Sequence, residues 1–505
     1  MAERSKHHRK REHRPGWAGL RDDWASAWSR FTGRTSTNHK RFALAVFALG
    51  ALLRVLRMDG PVTFDEALTY TQYAGRGFGF LFSDYTYPGN HILYSALARL
   101  SVLVFGVHPW SLRLPALLAG LLVMPLGYAF ARQVFNRHIA VLFLCLLAVS
   151  GPLVEYSAKA RGFSLVWLFT MAALLAGRHF VKTENMTGAV LMALFCALGM
   201  WATPYMAFPV LMVFLWSAGM LFHSYESTVR RRSVKLAGAF FLALAFTAAC
   251  YAPVVAVHSM DHLVNHPTLE ENTWQHFVNT QQDRAFDLWA YFTATAHPVL
   301  AFAGIVAVTY AAIVSAKYRI LLLAMAFGAV PLVMVLQIVA FPAAWTYTLL
   351  VFHLGTAIGC FYLLKLVRDK LAPGFTKSQR SLAAGLALLL VFGWTGLRGE
   401  QDVVERFPEA RQAAAWIAAN TRPGDRLAVS SPWDAPIGFY LACDKVNGRI
   451  LNGEGAPSGH SFLVVVPGHG QTPAGVAKNF RAAPVGTDRF KQVAGWDRLE
   501  IFGVE

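Results

Sequence analysis

The 505 residues carry a net charge of +17 and a mean hydropathy of +0.39, and are 55% hydrophobic but only 15% charged. Soluble domains average about 25% charged residues, and the deficit here comes from apolar runs long enough to cross a bilayer. A soluble chain is excluded, as is a transmembrane barrel, whose period-two alternation is absent.

What remains is an all-α polytopic membrane protein. Its Lys and Arg residues sit in short loops between apolar runs, which is a topology signal, so no nucleic-acid partner is expected. Cys145, Cys196, Cys250 and Cys360 lie within apolar runs and Cys443 stands alone, so neither a metal site nor a disulfide framework is implied.

Residues 1–40 are basic, with KHHRKREHR at 6–14, and no cleavable signal is expected. They read as a disordered cytoplasmic tail touching anionic lipid. Apolar runs follow at about 41–57, 90–106, 111–131, 138–155, 163–181, 187–203, 205–223, 236–257, 288–314, 320–341, 345–367 and 381–397. The basic loops around Arg132/Arg137, Arg178/Lys182, Arg230–Arg232/Lys235, Lys317/Arg319 and Lys365–Arg380 should share the cytoplasmic side with the N-terminus. That parity allows one crossing between the first helix and Arg132. The weaker run, 90–106, which carries Asn90, His91 and Arg99, is then a helix lying at the outer interface. The reading is about eleven transmembrane helices over 41–398, with outer loops at 58–110 and 258–287 and the C-terminus outside.

Residues 399–505 read as a small extracytoplasmic α/β domain. FPEARQAAAWIAANTRPGD suggests a helix ending at a Pro-Gly turn, RLAVS and HSFLVVVPG suggest strands, and GFYLA opens a second helix.

The stretch most suited to chemistry is 58–91, MDGPVTFDEALTYTQYAGRGFGFLFSDYTYPGNH. Asp65 and Glu66 follow the first apolar run, where carboxylates must be solvated, paired or metal-bound. Either could be a general base or, together, hold a divalent cation. Equally, Thr63 could cap a helix with both acids in its first turn. A second constellation, Glu155-Tyr156-Ser157-Ala158-Lys159-Ala160-Arg161, places basic residues on the outer side against the positive-inside trend. Lys159 and Arg161 could grip a phosphate or simply form ion pairs with Glu155 or Asp65. His91 could join the phosphate site or cap the helix it opens. Tyr70, Tyr87, Asn90 and Tyr156 are the candidate substrate contacts. In the 258–287 loop, His258, His262 and His266 have helical i, i+4 spacing suited to a metal face, but Asn265 and Pro267 oppose a long helix there. A mobile cover over substrate is the preferred reading of that loop.

Four features in order resemble the polyprenyl-phosphate-sugar-dependent glycosyltransferases of the GT-C superfamily, in the branch of bacterial relatives of the protein O-mannosyltransferases and the lipid A aminoarabinose transferase. They are TFDEA after the first apolar run, PGNHILY, RLPALLAG followed by ARQVFNRH, and YSAKARGFSL. The resemblance implies that Asp65 is the catalytic carboxylate. It deprotonates an acceptor hydroxyl, which attacks the anomeric carbon of a lipid-linked sugar with inversion. Gly162-Phe163 departs from the family pattern, which often has an Asp or Tyr shortly after Ala-Arg. The implied partners are a polyprenyl-phosphate-linked donor, the bilayer, and an acceptor glycan, lipid or protein, with Glu66 orienting the acceptor or holding a cation. A transporter or flippase for lipid-linked sugars is the alternative. It would need ionisable residues deep in the spans, whereas Arg54, Arg99, Gln133 and Gln337 lie mostly near span ends.

Overall fold

The computed structural model describes residues 16–87, 89–223, 229–264, 273–294, 298–337, 339–371, 374, 376–398, 406–422, 424–446, 450–451, 460–480 and 490–504. In chain order the helices before the C-terminal domain are α1 (Gly16–Arg34), α2 (Thr37–Val55), α3 (Phe64–Leu68, continued as a π-helical turn Thr69–Ala74), α4 (Phe78–Ser83), α5 (Ile92–Phe105), α6 (Pro109–Val134), α7 (Arg137–Val149), α8 (Gly151–Tyr156), α9 (Phe163–Thr183), α10 (Met186–Ala202), α11 (Ala207–His223), α12 (Val229–Val264), α13 (Trp274–Ala294), α14 (Pro298–Val314), α15 (Ala316–Leu336), α16 (Thr348–Leu371) and α17 (Lys377–Arg398).

Polar residues set the breaks between apolar helices. Asn136 accepts from the amides of His138 and Ile139 to start α7, Asn185 caps α10, and Ser315 caps α15. Gly106, at φ 81°, ends α5 in a conformation that side chains rarely adopt.

The bundle core lies where α7 meets α2, α6, α16 and α17, and where α9 packs on α6, α10 and α11. From His138 onward α7 is buried on every side, as expected of a helix apolar all round at the centre of a bundle. It stops at Ser150 because Pro152 has no N–H for the carbonyl of Ala148. Arg54 of α2 fills that break. Its guanidinium donates to the carbonyls of Ala148 (3.2 Å), Leu147 (3.0 Å) and Gly50 (2.8 Å) and to the Ser157 hydroxyl (3.2 Å). Far from marking a translocation path, this charge satisfies backbone that water cannot reach.

Among the described residues six helical segments are long and apolar enough to span a membrane: Pro109–Val134, Phe163–Thr183, Pro204–His223, Val229–Met260, Ala316–Leu336 and Thr348–Leu366. Counting α13 with α14 makes seven, and α5, α7 and α10 are shorter apolar helices. The expected count of eleven is therefore not reproduced by length and composition. In α2, which was expected to be the first crossing, Lys40, Arg41 and Arg54 interrupt the apolar run.

One further expectation, of a disordered N-terminal tail, is corrected over the described residues. Residues 16–34 are helical and docked, since Asp23 accepts a hydrogen bond from His179 Nδ1 at 2.7 Å and Asn185 donates to the Gly16 carbonyl at 2.8 Å. Within the expected 258–287 loop, residues 258–264 and 274–287 lie in helices. α12 continues to Val264 past a break at Ser259, and α13 starts at Trp274. His258 pairs with Asp84 at 3.3 Å, while His266 lies outside the described residues. No cluster of three metal-ligating side chains occurs among the described residues.

The C-terminal domain contains α18 (Pro408–Asn420), β1 (Arg426–Val429), α19 (Asp434–Cys443), β2 (Ser461–Val465), α20 (Pro473–Ala477), β3 (Lys491–Gly495) and β4 (Glu500–Val504). Its sheet has the order β1-β2-β4-β3, with β1 parallel to β2 and the other pairs antiparallel. The expected strands and first helix are present, the second helix starts at Asp434 so that GFYLA forms its later half rather than its opening, and β3 and β4 complete the sheet.

This domain is not a free appendage. Phe407, Trp433, Ile437 and Phe439 share one apolar core with Val62, Ala67 and Ala74 of the first loop and Leu112 and Ala116 of α6. The amide of Val62 donates to the Tyr440 hydroxyl at 3.2 Å, and Thr63 bridges to Arg406.

Candidate active site

The first loop and the turn before α9 meet at the same end of the bundle. The basic loops gather at the other end, where Glu184 pairs with Arg231 and Lys235, and Lys317 reaches the carbonyl of Val134.

Thr63 caps α3. Its hydroxyl accepts from the Glu66 amide, and the Glu66 carboxylate accepts from the Thr63 amide at 3.0 Å, closing a capping box. Glu66 is fully buried, and both of its oxygens are occupied. Arg113 donates through Nε (2.7 Å) and Nη2 (2.8 Å), and the amide of Ala160 donates at 2.7 Å. Burial by itself would raise the Glu66 pKa, but the Arg113 charge and these hydrogen bonds prevail and hold it below the usual carboxylate range. Glu66 thus has no lone pair left for an acceptor or a cation, and the expected catalytic or metal-binding role is corrected to an anchor. Arg113 is equally committed, donating also to the carbonyls of Met58, Gly60 and Pro61. The sequence reading missed it because its partner lies 47 positions away.

Asp65 projects the other way. Its side chain is 55% exposed and lies 3.8 Å from Nη2 of Arg161, whose own side chain is mostly buried. Arg161 donates to the Gly89 carbonyl at 3.2 Å, and its buried Nε has no hydrogen-bond partner among the described residues. Hydrogen bonds fix the two strands of the site together. Thr69 donates to the carbonyls of Asp65 (2.9 Å) and Ala160 (3.4 Å), while Glu66 holds the Ala160 amide from behind. Gly162 completes the turn. A Cβ there would come within 2.8 Å of the Ala202 carbonyl and of His91 Nδ1, so the position has no room for a larger residue.

The other candidates have different partners. Nδ1 of buried His91 accepts from the Gly162 amide at 2.7 Å. Burial, and then the Arg161 charge, push the His91 pKa well below its ordinary value. A neutral ring already used to hold the turn is not a phosphate cation. Lys159 pairs with Glu155 and sits over the Tyr156 ring. It lines a polar cleft of about 190 Å³ whose walls include Glu66 and Arg113 but not Asp65 or Arg161. Asn90 is buried and spends its amide on the carbonyls of Leu81 and Asp84 and the Ser95 hydroxyl, so it shapes the loop rather than contacting substrate. Tyr70 packs edge-on against Phe439 of the C-terminal domain.

The last two candidate tyrosines differ in exposure. Tyr87 is 42% exposed. Tyr156 is buried, and the charges of Arg161 and Asp65 both act on its phenol, though burial is what chiefly raises its pKa. Phe163 stacks edge-on against Tyr156, His91 and Phe341, and Phe341 in turn meets Tyr205. An aromatic wall therefore flanks the Asp65–Arg161 pair.

Residues 90–251 match the family model of dolichyl-phosphate-mannose-protein mannosyltransferases. Among solved structures, the chain is similar to ArnT from Cupriavidus metallidurans in the apo state (TM-score 0.56, 14% identity, 92% of this chain and 98% of that one). It is similar to the same protein bound to undecaprenyl phosphate (0.54, 14%, 91% and 97%). It also matches the apo oligosaccharyltransferase of Archaeoglobus fulgidus (0.50, 12%, 82% and 64%). No curated protein matches it.

Proposed function

We propose that this chain, a GT-C-superfamily protein by its fold and by the family match over residues 90–251, transfers a sugar from a polyprenyl-phosphate donor to an acceptor hydroxyl. The observation that carries this reading is the contact between Asp65, exposed to a substrate, and Arg161, mostly buried and left with an orphaned donor. An acid that can take a proton and a cation that can hold a phosphate are the two groups that this displacement needs.

In the proposed step Asp65 removes the proton from the acceptor hydroxyl. The oxygen attacks the anomeric carbon, the carbon–oxygen bond to phosphate breaks with inversion, and the electron pair leaves with the polyprenyl phosphate. Arg161 stabilises the charge that develops there, with exposed Tyr87 placed to contact donor or acceptor and buried Tyr156 backing the pair. Glu66, Arg113, His91 and Asn90 hold these groups in position. The likeness to a structure containing undecaprenyl phosphate supports a polyprenyl-phosphate partner for this fold. The bunching of basic loops at the end away from the site supports a site on the outer face of the cytoplasmic membrane, with the N-terminus inside and the C-terminal domain outside.

The test is transfer of radiolabelled sugar from a polyprenyl-phosphate donor in membranes that contain the protein. Asp65→Asn is expected to lower transfer by about 10²–10⁴-fold, the range for loss of a general base. Wild-type transfer by a correctly inserted Asp65→Asn protein would remove Asp65 from this role.

A further inference from the structure

At the basic end, away from the active site, α1 lies across α6, α9 and α10 without closing on them. The gap is a cavity of about 530 Å³. Most of its wall is apolar, including Leu126, Leu168, Phe169, Leu175, Leu191 and Phe195. Polar side chains are confined to one end, where Arg21, Asp23, Gln133 and His179 stand.

The polarity gradient has a length. Along α9 the lining runs from Leu168 to His179, which is about 16 Å at 1.5 Å per residue. That is close to the hydrocarbon depth of one leaflet, half of about 30 Å. Trp17, Trp24 and Trp28 lie along one side of α1, spaced by seven and four residues, and all are exposed. Arg21 lies between Trp17 and Trp24 on that same side, and all three line the cavity, so aromatic rings and a cation stand together as they do where a helix meets a membrane interface. The mouth keeps one net positive charge: Arg21 lines it, and Lys182 stands beside it, 3.8 Å from Asp23. The basic stretch KHHRKREHR immediately precedes α1 in sequence.

We infer that this cavity is a binding site for an anionic phospholipid of the leaflet that faces the basic loops. One acyl chain enters between α6, α9 and α10, and the phosphate stays at the mouth near Arg21 and Lys182. Depth, wall chemistry and mouth charge each select that occupant over a soluble apolar ligand, which would need no polar end. The inference does not depend on the proposed transferase activity.

The experiment uses the full-length protein, delipidated in mild detergent and titrated with phosphatidylglycerol or phosphatidylethanolamine of the same chain length, with bound lipid counted by native mass spectrometry. Phosphatidylglycerol is expected to bind roughly fivefold more tightly, as one net positive charge at the mouth would favour. Ala172→Phe, which fills the cavity, should abolish that preference, and Arg21→Glu should reverse or erase it. A phosphatidylglycerol carrying a photoreactive group on its acyl chain, used on the unsubstituted protein, should label peptides within 168–195. Equal affinity for both lipids, labelling only elsewhere, or unchanged binding by a folded Ala172→Phe protein would each overturn the site.

Discussion

Successive positions on a helix point about 100° apart, and at 65 and 66 that rotation separates an exposed carboxylate from one buried in the scaffold. Glu66→Ala leaves Arg113 buried without its counter-charge and is expected to cost about 3–5 kcal/mol, measured by thermal or denaturant unfolding. Asp65→Asn should leave stability within experimental scatter while removing transfer. The pH dependence of stability follows from Glu66. Its folded pKa lies below its ordinary 4.5, so its contribution is fully present above that pH and is lost as pH falls through the lower folded value. The melting temperature of the wild type should drop on acidification below about 4.5, whereas Glu66→Gln should start lower and change less over that range. At Arg161, alanine should reduce transfer by about 10²–10³-fold. Lysine should rescue it only partly, because an ammonium lacks the planar fork. Sequence offered Thr63 as a helix cap with both acids in the first turn, but did not separate the two carboxylates. The ion-pair partner of Glu66, 47 residues away, leaves no local pattern.

At the scale of elements, the break between α7 and α8 and the seating of α3 carry the clearest consequences. Arg54→Met should free several buried carbonyls at once, each costing about 1–3 kcal/mol, and so lower the yield of folded protein in detergent as judged by size-exclusion chromatography. Sequence marked Arg54 only as a polar intruder near a span end. That it satisfies a proline-made break depends on the approach of α2 to α7, which no periodicity records. The helices and strands of residues 407–466 were legible because capping residues, Pro-Gly turns and β-branched runs are local signals. α1 was not, since its sequence is polar and basic and its order comes from Asp23 meeting His179, 156 positions away. The surroundings of Tyr70, Asn90 and His91 were hidden for the same reason: their types suited substrate contact, but their neighbours Phe439, Asp84 and Gly162 are set by tertiary packing.

For the whole molecule, the shared core between the first loop and the C-terminal domain makes the two one folding unit. Removal of residues 399–505 would expose Val62, Ala67 and Ala74 and leave the amide of Val62 without the Tyr440 hydroxyl. Truncation is therefore expected to abolish transfer and promote aggregation, whereas a separable domain would leave a monodisperse, active bundle. Cleavage at the 399–405 connection followed by size-exclusion chromatography distinguishes the two, because a shared core keeps the fragments together.

Glu66 touches α6, the cap of α3 and the amide of Ala160, yet never meets the open face of the site. If the proposed transfer is right, it works as a ruler: the gap between the Asp65 carboxylate and the Arg161 guanidinium is written into a side chain hidden from both substrates. Selection for a bulkier or slimmer sugar could therefore act by shortening or lengthening that one strut, with the reacting groups themselves left untouched.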